Sequence, residues 1–164
     1  MSTAYHVAQA SSCAIPTRDT AAVMHSLFEK AQTEVILVGY AVHNGRKLFD
    51  SLAKRMQQVA TLRVWLCLNI PRTFNDTSLS SEIVSRFAME FVTKHWPWQQ
   101  LPELYYDPRA LSDDYTHRAS LHAKCIIVDQ SEAMITSANI TEAAHERNVE
   151  VGVIIRHSPA LYKT

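Results

Sequence analysis

The sequence predicts a single α/β domain built on a mixed, largely parallel β-sheet that is flanked by helices on both faces. Two observations support this fold class. Segments with apolar residues at helical spacing alternate with short, continuous apolar runs of the kind found in buried strands. The chain has 164 residues, which suffices for one domain with a hydrophobic core but not for two ordinary domains.

The first half of the chain reads helix, strand, helix, strand. Residues 1–16 have no clear period and are predicted to form a flexible arm, after which Thr17 caps a helix in the domain that spans 17–164. The run EVILVGYAV (34–42) follows as a buried strand. A second amphipathic helix then leads into LRVWLCLNI (62–70), which is a second buried strand.

The second half continues this alternation. A third helix is expected to end near Pro97, because proline disfavours helical geometry in the residue before it. A short strand is predicted within LPELYYDP, and three further strands at 121–129, 133–136 and 149–155. The final residues HSPALYKT resemble the first turn of a helix, so this C-terminal helix is either vestigial or truncated.

Composition limits the classes of function. Sixteen basic and sixteen acidic residues give a pI near 7.1, so nucleic-acid binding would have to rest on local charge rather than a global basic field. The first residues lack a basic flank followed by an apolar core, so we expect no secretory leader, and no apolar run approaches the roughly 18 residues of a membrane span. Three widely spaced cysteines are typical of a reducing compartment. We therefore expect a cytoplasmic protein without stable membrane association.

Four polar residues interrupt two predicted apolar strands. His122 and Lys124 would project to one side of their strand, and Asn148 and Glu150 to one side of the last strand. An unpaired ammonium inside a dry sheet is costly unless it reaches water or has an anionic partner, which for Lys124 could be a carboxylate or a bound phosphate. The turn at 136–139 lies between the two strands and offers hydroxyl, amide and backbone donors that can cradle an anion.

These residues resemble a known signature. The run HAKCIIVD followed by TSAN is similar to the phospholipase D superfamily pattern His-x-Lys-x4-Asp with a downstream Gly-Ser-x-Asn. The matching positions are His122, Lys124, Asp129, Ser137 and Asn139. Thr136 stands where glycine is usual, and Glu150 stands where the single-motif nucleases of the family carry a glutamate. More narrowly, LPELYYDPRAL, LHAKCIIVD and TSANITEAAHERNVEVGV resemble the phospholipase D-like component of the DISARM phage-defence system, or a close bacterial relative.

The resemblance implies a catalytic mechanism. His122 would attack phosphorus to form a covalent phosphohistidine, and Glu150 would hold its ring in the attacking tautomer. The phosphate oxygens would be held by Lys124, Ser137 and Asn139. Asp129 lies at the end of the predicted strand, on the opposite side from His122, so we expect a supporting hydrogen bond from it. Thr136 and Asn148 would make minor contacts. No metal or other cofactor is implied.

One histidine cannot attack and also protonate the leaving oxygen. The family places two such motifs across a two-fold axis, whereas this chain has one, so a homodimer with a composite active site is expected. The expected activity is that of a phosphodiesterase, acting as a nuclease on nucleic acid and functioning with other phage-defence proteins.

Other interpretations of the same residues stay open. His122 alone would be read as a core histidine, Lys124 as an edge-strand lysine, and Glu150 as its salt-bridge partner. The competing functions are a phospholipase or cardiolipin hydrolase and a non-catalytic scaffold subunit of a defence complex. The absence of an amphipathic basic helix disfavours the lipid enzyme.

Overall fold

The structure, a computed structural model, describes residues 19–139 and 150–156. Its α-helices are α1 Thr20–Lys30, α2 Gly45–Gln58 and α3 Ser80–Glu90. Its strands are β1 Glu34–Gly39, β2 Arg63–Leu68, β3 Glu103–Tyr105, β4 Cys125–Val128, β5 Glu132–Thr136 and β6 Gly152–Arg156. The predicted arm, the Thr17 cap and the C-terminal helix start fall outside the described residues. Asp19 caps α1, where its carboxylate accepts a hydrogen bond from Ala21 N at 2.8 Å.

The six strands form one mixed sheet in the order β3-β2-β1-β4-β5-β6, which confirms the predicted α/β class. The prediction of a largely parallel sheet holds only for β1, β2 and β3, because the three remaining pairings are antiparallel. A three-residue turn at 129–131 joins β4 to β5, and a turn this short can connect only antiparallel strands.

The hydrophobic core lies on one face of the sheet. Strand side chains such as Val35, Leu37 and Leu66 are fully buried against Phe28 of α1 and Phe49 of α2. On the other face, the side chains of β1, β2 and β4 are only half-buried. Helices on both faces therefore stay a prediction, since α1 and α2 contribute their core residues to one face, and Ile83 of α3 packs in a separate cluster with Ile70 and Leu111.

A π-helical turn, Phe91–His95, extends α3 and stops before Pro97, as predicted from that proline. Trp96 is completely buried, with its ring 5.4 Å from that of Phe49. Gly45 begins α2 against this turn, and a Cβ at Gly45 would come within 2.6 Å of His95 Cβ. A glycine is thus required for α2 to approach His95 this closely.

One edge of the sheet collects the residues of interest. The carboxyl ends of β1, β2, β3 and β5 lie there, together with the amino ends of β4 and β6. We call this edge the site edge. Within residues 19–139 and 150–156, no helix is long and apolar enough to cross a membrane.

Candidate active site

The strand that carries the motif is shorter than predicted. β4 begins at Cys125, so His122 and Lys124 lie in the irregular segment just before it and not within a buried strand. The chain leaves the sheet here because Leu121 N donates a hydrogen bond to Asn69 Oδ1, 3.2 Å away beyond the end of β2. The expectation of a buried ammonium was wrong, since His122 is exposed and Lys124 half-buried.

His122 and Lys124 are nevertheless held next to each other. The His122 ring stacks on Tyr40, which follows β1, with ring centroids 4.5 Å apart and planes inclined by 27°. Lys124 Nζ donates to the backbone carbonyl of His122 at 2.8 Å. An ammonium has three N–H donors, so this bond leaves two for another acceptor. The site edge therefore presents an exposed imidazole beside a cation.

Ser137 and Glu150 form a second polar group at the site edge. Ser137 follows β5, and its hydroxyl donates to the Glu150 carboxylate while accepting from Val151 N at 3.0 Å. Ser137 N in turn donates to Val151 O at 2.9 Å. These bonds tie the segment before β6 to the end of β5. A contact of Glu150 with His122 stays a prediction.

The TSAN turn lies against Lys124. Thr136 N donates to Lys124 O at 3.1 Å, and Thr136 Oγ1 accepts from Ala138 N at 3.0 Å, which tightens the turn. Lys124 and Asn139 line one narrow cleft. Within residues 19–139 and 150–156, the buried Asn139 Oδ1 has no hydrogen-bond partner, so in this part of the chain the amide retains unused bonding capacity. Asn148 falls outside the described residues.

Asp129 lies at the opposite end of β4 from Lys124, roughly 16 Å away along the strand. Its carboxylate accepts hydrogen bonds from the backbone N–H groups of Gln32, Thr33 and Glu34, at 2.7 to 3.1 Å. Burial alone would raise the pKa of Asp129, but these amide donors hold it below its ordinary value. Asp129 therefore fastens the β4–β5 turn to the start of β1.

Sequence reasoning missed three residues that shape the site edge. Tyr40 supports the His122 ring, and Asn69 receives the chain just before the motif. Both stand directly after a parallel strand, where ligands of open α/β sheets bind, and that position was the available signal. The third residue is Arg72, whose buried guanidinium donates to carbonyls of Asp76, Ser78 and Leu111 and so fixes two loops over the end of β2.

Residues 19–139 and 150–156 contain no group of three or more histidine, cysteine, aspartate or glutamate side chains arranged to hold a metal ion.

Comparison with known proteins places these features in a family. Residues 24–164 match the family described as "Cardiolipin synthase, PLD-like domain". The chain is 25% identical over 138 residues to the DISARM protein DrmC of Bacillus paralicheniformis. That match covers 84% of the chain and 50% of the relative, so the chain spans about half the length of DrmC.

Three solved structures share the fold. The phospholipase D family member Nuc from Salmonella typhimurium aligns with a TM-score of 0.57 and 21% identity, over 85% of this chain and 77% of Nuc. NucT from Helicobacter pylori aligns with a TM-score of 0.56 and 13% identity, over 85% and 78%. Phosphatidylserine synthase from Haemophilus influenzae aligns with a TM-score of 0.60 and 12% identity, over 86% of this chain and 32% of that one.

Proposed function

The chain belongs to the phospholipase D-like family, and from this premise we propose that it is a metal-independent phosphodiesterase that cleaves nucleic acid through a phosphohistidine on His122. The observation that supports this proposal most directly is the exposed His122 ring, stacked on Tyr40 beside the Lys124 ammonium. A nucleophile and a cation in this arrangement suit attack on an anionic phosphorus.

In the first step, the unprotonated ring nitrogen of His122 attacks phosphorus. A nitrogen–phosphorus bond forms, the bond from phosphorus to the leaving oxygen breaks, and that oxygen takes a proton from a general acid. One half of the nucleic-acid chain leaves, and the other stays bound to His122 through its phosphate.

Charge grows on the non-bridging phosphate oxygens during this step. Lys124 has two N–H donors beyond the one bonded to the His122 carbonyl, and it can direct them at these oxygens. The Asn139 amide shares a cleft with Lys124 and would complete the oxyanion site. The Ser137 hydroxyl has one proton, which it gives to Glu150 in the free protein, so it would turn that proton to the phosphate when substrate binds. Donors fixed before the reaction stabilise the transition state more than the ground state.

Glu150 would act as a positioning residue. Its carboxylate accepts from the Ser137 hydroxyl in the free protein, and we propose that it receives the second ring N–H of His122 instead when substrate is bound. This bond would leave the attacking nitrogen free of a proton.

The general acid would come from a second copy of the chain. His122 is consumed as the nucleophile, so the His122 of a second subunit would protonate the leaving oxygen in a two-fold symmetric dimer. In the second step, that imidazole takes a proton from water, the water oxygen attacks phosphorus, and the nitrogen–phosphorus bond breaks. Both histidines are thereby regenerated.

The test is cleavage by purified protein in EDTA. Single-stranded DNA, duplex DNA, RNA and cardiolipin vesicles would each be incubated with wild type, His122→Ala and the matched control His117→Ala, which alters another exposed histidine. We expect nucleic acid to be cleaved by wild type and His117→Ala only. Cleavage that survives His122→Ala, or that requires an added metal, would contradict the proposal.

A lipid phosphodiesterase is the second candidate. It is favoured by the description of the matching family and by the likeness to a phosphatidylserine synthase. The similarity to DrmC supports a role in phage defence, in which the chain would be either the nuclease or a scaffold subunit. Cardiolipin cleavage in the same assay would favour the lipid enzyme, and no turnover of any substrate would favour the scaffold.

A further inference from the structure

A large cavity at the site edge has no part in the phosphate chemistry proposed above. It has a volume of about 520 Å³, within the roughly 300–1,000 Å³ typical of small-ligand sites. It opens between the ends of β1 and β2 on one side and α3 with its π-helical turn on the other. Its lining includes Tyr40, Asn69, Phe87, Phe91, Lys94 and His95.

Tyr40 connects this cavity to the proposed nucleophile. The residue lines the cavity and stacks on the His122 ring, with 4.5 Å between the two ring centroids. The cavity therefore begins about one ring thickness from the group that would attack phosphorus. A substituent that enters it must belong to the nucleotide or alcohol next to the scissile phosphate.

The lining of the cavity suits a flat, polar heterocycle. Val42, Pro71, Phe87 and Phe91 supply apolar and aromatic surface, on which a base can stack. Polar groups stand among them, including the Asn69 amide and the Glu90–Lys94 ion pair, whose charged atoms lie 2.8 Å apart. Asn69 Oδ1 already accepts from Leu121 N and Glu90 is paired with Lys94, but the edge of a nucleobase offers further donors and acceptors to these groups, whereas an acyl chain offers none.

His95 is held ready to donate a hydrogen bond. Gly45 N donates to His95 Nδ1 at 3.3 Å, so the neutral ring carries its proton on Nε2. Burial lowers the pKa of His95, His43 and Lys94 lower it further, and Glu90 opposes them. The imidazole is therefore neutral near pH 7 and has one N–H to offer.

We infer that this cavity binds one unstacked nucleobase next to the scissile phosphate, so that the substrate class is single-stranded nucleic acid or an unpaired stretch of a duplex. The inference rests on the proposed function and adds the strand preference. A paired base must first leave its stack to reach such a cavity, which disfavours duplex.

The first test measures binding without cleavage. His122→Asn protein would be titrated with fluorescein-labelled single-stranded 20-mers, either intact or carrying abasic sites, and with the matching duplex, by fluorescence anisotropy in EDTA. We expect intact single strands to bind roughly 5- to 100-fold tighter than abasic strands, and tighter than duplex. Equal affinity for intact and abasic strands would overturn the inference, because phosphate contacts alone would then account for binding.

The second test fills the cavity. Ala41→Phe, in the His122→Asn background, places a ring where the base would lie, and Ala22→Phe is the matched control on the exposed face of α1. The affinity ratio of intact to abasic strands should fall towards one in Ala41→Phe and persist in Ala22→Phe. Circular dichroism verifies folding, and if Ala41→Phe does not fold, Ala41→Val takes its place.

Two further outcomes separate this inference from the proposed function. The inference would be overturned if cardiolipin vesicles competed with the oligonucleotide, lost this ability in Ala41→Phe, and abasic substitution had no effect on binding. The cavity would then bind a lipid chain. Cleavage by wild type of duplex and abasic strands as fast as of intact single strands would also overturn it, while leaving the proposed phosphodiesterase intact.

Discussion

Removing the Asp129 carboxylate should destabilise the fold without removing the active site. Three backbone N–H groups of residues 32–34 and the Thr33 hydroxyl donate to this carboxylate. Asp129 also has a left-handed backbone, with φ at 51°, in the three-residue turn between β4 and β5. Two substitutions separate these contributions. Asp129→Asn keeps an oxygen and suits the turn, whereas Asp129→Ala loses both features.

The magnitude follows from the number of bonds and their exposure. A hydrogen bond to a charged group contributes about 1.5–3 kcal/mol, but these amides are partly exposed and can turn to water, which reduces the loss. We expect Asp129→Ala to lower the free energy of unfolding by about 3 kcal/mol, including about 1 kcal/mol for a left-handed alanine. Asp129→Asn should cost about 1 kcal/mol, because Oδ1 keeps most of its donors while the charge is lost.

Urea denaturation at pH 7, followed by circular dichroism, gives both values. Since the folded-state pKa of Asp129 lies below the unfolded value near 3.8, its contribution is complete above that value and is lost as pH falls through the folded pKa. The stability difference between wild type and Asp129→Asn should therefore shrink below about pH 4. At pH 7, the cleavage rate per folded molecule of Asp129→Asn should stay close to wild type.

Two results would refute this reasoning. Asp129→Ala as stable as wild type would mean that the carboxylate does not fasten β1. A large loss of turnover in fully folded Asp129→Asn would mean that the residue acts in the chemistry, despite lying at the far end of β4.

The remaining predictions concern the site edge and its loops. Lys124→Met should lower kcat/KM for nucleic acid by about 100-fold, because the charge that grows on the phosphate loses its stabilising cation. The control is Lys30→Met on α1, and a kcat/KM for Lys124→Met equal to that of the control would show that Lys124 does not stabilise the transition state. Ser137→Ala should lower kcat/KM on the same substrate by about 10-fold or more. A wild-type kcat/KM in this variant would mean that the hydroxyl supports the structure but does not contact the phosphate. Arg72→Met should lower the free energy of unfolding by about 3 kcal/mol in urea denaturation, because three loop carbonyls lose a charged donor; a loss below about 1 kcal/mol would contradict the loop-fixing role. The cleavage rate in EDTA should equal the rate in buffer without chelator. A rate that falls in EDTA and returns when a divalent metal is added would contradict the mechanism.

The succession of elements could be predicted from local pattern alone. The apolar runs at 34–42 and 62–70 contain β1 and β2, and Pro97 marks the end of the helical segment. These features depend on neighbours in the chain, so periodicity and proline placement suffice.

The boundary of β4 could not be predicted in this way. The run from Leu121 is apolar enough for a strand, yet a bond from Leu121 N to Asn69 leads the chain out of the sheet. That contact joins residues 52 positions apart. The predicted position of His122 and Lys124 on one face of a buried strand was therefore wrong, although both residues lie at the site edge.

The stacking of Tyr40 on the His122 ring could not be predicted from the sequence for the same reason. Tyr40 lies 82 positions before His122, and only the antiparallel pairing of β1 with β4 brings the two together. Asp129 shows the opposite case, since its place at the end of the strand already indicated a supporting hydrogen bond. The sequence thus identifies the side chains that can take part in the site, and the pairing of the strands determines which of them come into contact.

The most direct test of the mechanism is detection of the covalent intermediate. Wild-type protein would be mixed with single-stranded oligonucleotide in EDTA, quenched in alkali within its first turnover, digested with protease and examined by mass spectrometry. We expect a nucleotide adduct on the peptide that contains His122, absent from His122→Ala and present in His117→Ala. Rapid cleavage without an adduct on His122, or with the adduct on another residue, would contradict the proposed phosphohistidine mechanism.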